Sequence, residues 1–95
     1  MTAYARPPDV GMVVEDRQGA DGVVVYLALL PAGPPQILNG VGSLIFLEAL
    51  STDAPADVVE RVAALVDRPP ETIRAEVDSF LAHLVQTGLL QRVDD

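Results

Sequence analysis

Among the side chains of this chain that could do chemistry, fourteen carboxylates, the serine and threonine hydroxyls and one histidine come first. General acid–base catalysis needs two carboxylates across a cleft, one with a shifted pKa. Here the acids fall in turns and on the polar faces of predicted helices, the pattern of a solvated surface. Asp53 with Asp57, and Asp94 with Asp95, are acidic pairs that lack the glycine-turned loop of alternating oxygen ligands found in a divalent-cation site. Ser43, Ser51 and Ser79 stand in no nucleophile elbow, and Ser51-Thr52 fits a helix boundary. His83 has no second imidazole to share a metal with. Gly40-Val41-Gly42 lacks the third glycine and the lysine of a phosphate-binding loop. With no cysteine, disulfides, thiolate catalysis and Cys-based metal sites are excluded. The expectation is a chain with no catalytic residues, metal or cofactor.

Charge narrows the partners. The formal net charge is −8, and six arginines are the only cations besides the lone histidine. Phosphate contacts need clustered Lys or Arg, whereas Arg6, Arg17, Arg61, Arg68, Arg74 and Arg92 are scattered. Nucleic acid and anionic membrane surfaces are therefore not expected as partners. The segment from Met1 to Asp9 has no hydrophobic run of signal-peptide type. The longest apolar stretch, Val23 to Pro31, is about nine residues, too short to span a bilayer. A soluble, cytoplasmic, single-domain chain is expected.

Any binding site must be positioned by elements whose pattern is legible. Residues 1–9, with Pro7-Pro8, read as a flexible arm, residues 10–92 as the domain, and residues 93–95 as an acidic tail. Val10 to Glu15 is short and β-branched, a first strand, closed by the turn formers of Asp16 to Gly22. Val23 to Leu30 is a second strand, so continuously apolar that both faces are expected to be covered. After the turn Pro31 to Pro35, Gln36-Ile37-Leu38 is a third strand ending at Asn39-Gly40. Short connections predict an antiparallel meander.

From Val41 the period becomes helical. Leu44, Ile45, Leu47 and Leu50, with Phe46, make a short, mostly buried helix. Pro55 suits the first turn of the next, with Asp53 expected to accept from its free N–H groups. Its apolar stripe is Val58, Val59, Val62, Ala63 and Val66. Pro70 and Glu71 open the longest helix, with Ile73, Val77, Phe80, Leu81 and Leu84 at spacings of three and four. Gly88 is expected to end it as a left-handed cap, with Leu89-Leu90 folding back. Three strands followed by three helices predict an α+β domain with one core on one face of the sheet.

That order leaves one interaction surface. Gln36-Ile37-Leu38 is last in the meander, so it can be an edge whose unpaired N–H and C=O groups accept another strand. A third helix lying along that edge would make a groove for an extended peptide. An ordinary protected edge, or an edge paired in a homodimer, is the alternative.

The run Val25 to Asn39 resembles the hairpin of the PqqD-like family, where a strand, a Pro/Gly turn and a short strand ending in Leu-Asn lead into the first helix. Leu44 to Leu50 resembles that family's first helix. Ala75 to Leu84, followed by Gly88-Leu89-Leu90, resembles its third. Gly40-Val41-Gly42-Ser43 departs from the Thr/Ser-Ala segment expected after Leu-Asn. The resemblance implies a winged-helix-like domain that binds no DNA. It implies a non-catalytic recognition element that captures the leader of a ribosomally made precursor peptide and presents it to a modifying enzyme. The leader would be an added strand between the third strand and the third helix.

Carried onto this chain, the resemblance assigns peptide binding to Gln36, Ile37 and Leu38 on the strand. On the helix it assigns Arg74, Val77, Asp78, Leu81 and Val85. Val77, Leu81 and Val85 would be the apolar floor, while Arg74 and Asp78 would set polarity and register. The implied partners are the precursor peptide and a protease, cyclase or radical enzyme. The alternative function is a structural module that dimerises through the same edge. A winged-helix nucleic-acid binder would need a basic third helix, whereas this one carries Glu71, Glu76 and Asp78 against Arg74.

Overall fold

A computed structural model describes residues 3–16, 22–31 and 33–93. The strands are β1 (Tyr4–Ala5), β2 (Val10–Asp16), β3 (Val23–Leu29), β4 (Gln36–Leu38) and β5 (Gln91–Arg92). The helices, between β4 and β5, are α1 (Val41–Ala49), α2 (Pro55–Val66) and α3 (Pro70–Gln86). The meander is an antiparallel sheet in the order β2-β3-β4, and the helices follow it, so the architecture is α+β and winged-helix-like. Most of the turn between β2 and β3, and the acidic pair Asp94-Asp95, lie outside the described residues.

Alternation along the strands decides which face is covered. Val25 and Leu27 of β3 and Val10 of β2 are buried in the core that all three helices share. Val24, Tyr26 and Ala28 alternate with them on the outer face, where Val24 is buried and Tyr26 and Ala28 are half-buried. Directly across from Tyr26 stand Val13 of β2 and Ile37 of β4, 63% and 60% exposed. The helices therefore cover one face of the sheet, and on the other face of β3 full burial is confined to Val24.

Each helix inserts its stripe into this core. Phe46 of α1 is completely buried, with Ile45 and Ala49 beside it. Val58, Val59, Val62 and Ala63 bury the inner face of α2. On α3 the buried residues are Ile73, Val77, Leu81 and Leu84, a stripe at spacings of four and three.

Helix ends match the sequence at one place and differ at another. Gly88, at φ +81°, follows the C-cap Thr87. Leu89 N–H donates to the Leu84 carbonyl at 2.9 Å and Gly88 N–H to the Val85 carbonyl at 3.1 Å, the paired bonds of a Schellman motif. The N-cap of α2 falls one residue after the expected Asp53. It is Ala54, which makes no side-chain cap bond. The neighbouring hydroxyls look backwards instead. Ser51 Oγ donates to Leu47 O at 2.8 Å and Thr52 Oγ1 to Glu48 O at 2.9 Å, satisfying the last carbonyls of α1.

The flexible arm expected over residues 1–9 is corrected at residues 3–5. Tyr4 and Ala5 pair antiparallel with Arg92 and Gln91. Ala3 donates to Thr52 O and accepts from Val93 N–H, both at 2.9 Å, and Ala3 and Tyr4 are buried with the core. A large ring that can be covered offsets the entropy of ordering a terminus.

Two expectations test this packing by urea unfolding. Gly88→Ala should cost about 1 kcal/mol, because an L side chain at φ +81° is strained and little else changes there. Val77→Ala should cost about 2–3 kcal/mol for a fully buried side chain, while Val85→Ala, 38% exposed on the same helix, should stay within about 0.5 kcal/mol.

Candidate functional site

The polar geometry of β4 follows from one bond. Leu30 N–H donates to Asp9 O at 2.7 Å, and these residues stand one step beyond the Val10–Leu29 pair of the ladder. Bonded and non-bonded pairs alternate in an antiparallel ladder. Counting along it, Tyr26 bonds to Val13, so Val25 and Leu27 turn their backbone groups the other way, towards Leu38 and Gln36. Ile37, between those two, directs its N–H and C=O away from the sheet. Among the described residues β4 pairs with β3 alone, so this edge is open. Pro35, the next residue whose groups would point outward, has no N–H to offer.

The open edge faces α3 across a groove. Near Leu38 and Asn39 the groove widens into a hollow of about 620 Å³, bounded on the helix side by Glu76, Ser79, Phe80 and His83. Near Gln36 and Pro34 it forms a second hollow of about 510 Å³, bounded by Phe80, Leu84 and Thr87 and closed by Leu29 and Leu89. Leu38, Phe80 and His83 belong to both hollows and form the ridge between them. Because Glu76 lies at the Asn39 end and Thr87 at the Gln36 end, α3 runs antiparallel to β4.

Local sequence holds this shape. The sharp turn at Asn39-Gly40 starts α1 directly after β4, with Ser43 Oγ donating to Gly40 O at 2.7 Å. A Cβ built on Gly42 would come within 3.2 Å of Phe80 Cζ, so the bare backbone there lets the Phe80 ring approach α1. Phe80 itself is half-buried and packs on the core with one side of its ring. Val41 and Ile37, both exposed, add apolar surface at the same end of the groove.

The strand residues expected to bind, Gln36, Ile37 and Leu38, all line this groove. The helix residues expected with them do not. Val77 and Leu81 are buried in the core, so they cannot floor an open groove. Asp78, Leu81 and Val85 border a different hollow, of about 450 Å³, beside Tyr4 and Arg92 on the far flank of α3. Arg74 is exposed and lines none of the three hollows. The structure instead brings Glu76, Ser79, His83 and Thr87 to the edge strand. Their spacing of three and four was visible in sequence, but as polar residues flanking an apolar stripe they carried no signal distinguishing them from solvated surface.

The groove offers shape, backbone polarity and apolar walls. Among the described residues, no group of three His, Cys, Asp or Glu could hold a metal ion. No helix there is long and apolar enough to cross a membrane.

Comparison with known proteins bears on the family of the chain. The family model described as coenzyme PQQ synthesis protein D (PqqD) matches residues 28–90, a span that begins within β3 and includes β4 and all three helices. Searches of curated proteins and of solved structures returned no match. Membership supports a role as a peptide-binding adaptor in the biosynthesis of ribosomally made, modified peptides, a role exercised with precursor peptides and modifying enzymes. With the family match covering more than half of its length, the chain belongs to the PqqD family, whose members are non-catalytic adaptors.

Proposed function

We propose that this protein captures the leader segment of a precursor peptide as a fourth strand on the open edge of β4, seated against α3. The observation that carries this reading is the outward-facing backbone of Ile37 beside an apolar-walled groove. Strand addition uses those two groups for affinity and the hollows on either side for side-chain selection. The peptide's backbone bonds to Ile37, and its inward side chains rest on Leu38 and Phe80. Glu76, Ser79, His83 and Thr87 form the helix wall. Arg74, Asp78 and Val85, on the other flank, stay clear of the peptide. The held leader leaves its core segment free for the modifying enzyme.

The test is a titration of labelled protein with the leader of a short precursor encoded beside it, followed through amide NMR signals. Shifts should concentrate at Gln36 to Leu38 and at Glu76, Ser79, Phe80, His83 and Thr87. Ile37→Asp, at an exposed position, should keep the fold and weaken binding about tenfold or more, whereas Val13→Asp on the opposite edge of the sheet should leave it unchanged. Shifts gathered instead around Asp78, Val85 and Arg92 would move the site to the far flank of α3.

A further inference from the structure

We infer that the groove selects a two-residue signature, a cationic side chain and a large apolar side chain separated by one residue, in that order along the peptide. This rests on the strand addition proposed above and adds what the strand must carry.

The register fixes the spacing. A residue hydrogen-bonded to Ile37 lies directly opposite it, so its side chain shares the outer face with Ile37. Its two neighbours lie opposite Leu38 and Gln36 and turn their side chains to the inner face, towards α3. These side chains stand about 7 Å apart, two residues along a strand. The two hollows are arranged the same way, one at the Leu38 end and one at the Gln36 end, with Phe80 and His83 between them. Each hollow therefore receives one inward side chain.

Their chemistry differs. The hollow at the Leu38 end has the exposed carboxylate of Glu76 at its wall, with no Arg or Lys among its lining residues. A cationic side chain can lay its aliphatic stem on Ile45 and Phe80 and carry its charge to Glu76. The hollow at the Gln36 end has no Asp, Glu, Lys or Arg in its lining, and Leu29, Leu38, Leu84 and Leu89 supply its walls. It takes a leucine-sized or aromatic side chain. Antiparallel pairing is the more stable geometry per residue, and it places the residue opposite Leu38 before the one opposite Gln36. The signature therefore reads cation, any residue, apolar. The net charge of −8 favours the approach of such a peptide.

Fluorescent peptides with the sequence Ser-Thr-Val-Arg-Thr-Leu-Val-Thr-Ser, and variants at the Arg and Leu positions, test this by anisotropy titration with the full chain. Replacing the peptide's Arg by Glu should weaken binding about five- to tenfold, the scale of one exposed charge pair turned to repulsion. Replacing its Leu by Ala should weaken binding about tenfold or more. Exchanging Arg and Leu should weaken it as well. In Glu76→Gln protein, a solvent-exposed change, the Arg-to-Glu penalty should fall below about twofold while the Leu-to-Ala penalty persists. If all the peptides bind alike, the signature is wrong and strand addition stands. An Arg-to-Glu penalty undiminished in Glu76→Gln protein removes Glu76 as the selector. If none binds while an encoded leader does, the signature is again wrong. If neither binds, strand addition fails with it.

Discussion

The burial of Ile73, Val77, Leu81 and Leu84 in the core that α3 shares with α1, α2 and the sheet governs the rest of the molecule. Once that stripe is committed to the core, the rotation of α3 about its own axis is set. One flank of the helix then lies beside β4, and the other beside β1 and β5. The first flank presents Glu76, Ser79, His83 and Thr87, with Phe80 at the boundary of the core. The helix lies alongside the edge strand without closing over it. The groove is thus a by-product of core packing, held open because Gly42 admits the Phe80 ring where a side chain would displace it.

A small core makes such a groove depend on its supports. A domain of about a hundred residues retains only a modest free energy of folding, so each terminal device matters. The Schellman turn at Gly88 brings Leu89 back over the end of α3, where it both buries apolar surface and closes the hollow beside Leu29. Leu90 then leads into β5, whose pairing with β1 draws Tyr4 into the core. One glycine therefore couples the end of the helix, the end of the groove and the anchoring of the N-terminal strand.

Much of this was legible in the sequence because it is written in periodicity. The β-branched and apolar runs of the strands, the stripes of the helices and the Pro and Gly punctuation each encode a local preference that the tertiary structure keeps. The flank of α3 that meets β4 is not encoded that way. An apolar stripe specifies which face is buried, but the two polar borders of that face are equivalent until the path of the chain puts a strand beside one of them. Arg74, Asp78 and Val85 occupy one border, Glu76, Ser79 and His83 the other, and spacing alone cannot rank them. The β1–β5 pair was hidden for a related reason. Two residues show no alternation, and their partner lies at the opposite end of the chain. Ser51 and Thr52 were placed correctly at a boundary, yet they serve the helix before it, since a hydroxyl one turn on can reach back to the last carbonyls as readily as a cap can reach forward.

The central claim is that the backbone of Ile37 is the free polar edge to which a peptide adds. Amide hydrogen exchange at that residue tests it most directly. In the free protein the Ile37 N–H should exchange quickly, while those of Gln36 and Leu38, bonded to β3, exchange more slowly. With a saturating leader peptide, Ile37 should become protected about tenfold or more, with little change at Leu38. Protection of Ile37 in the free protein, or exchange that stays fast when the peptide is bound, would contradict the account.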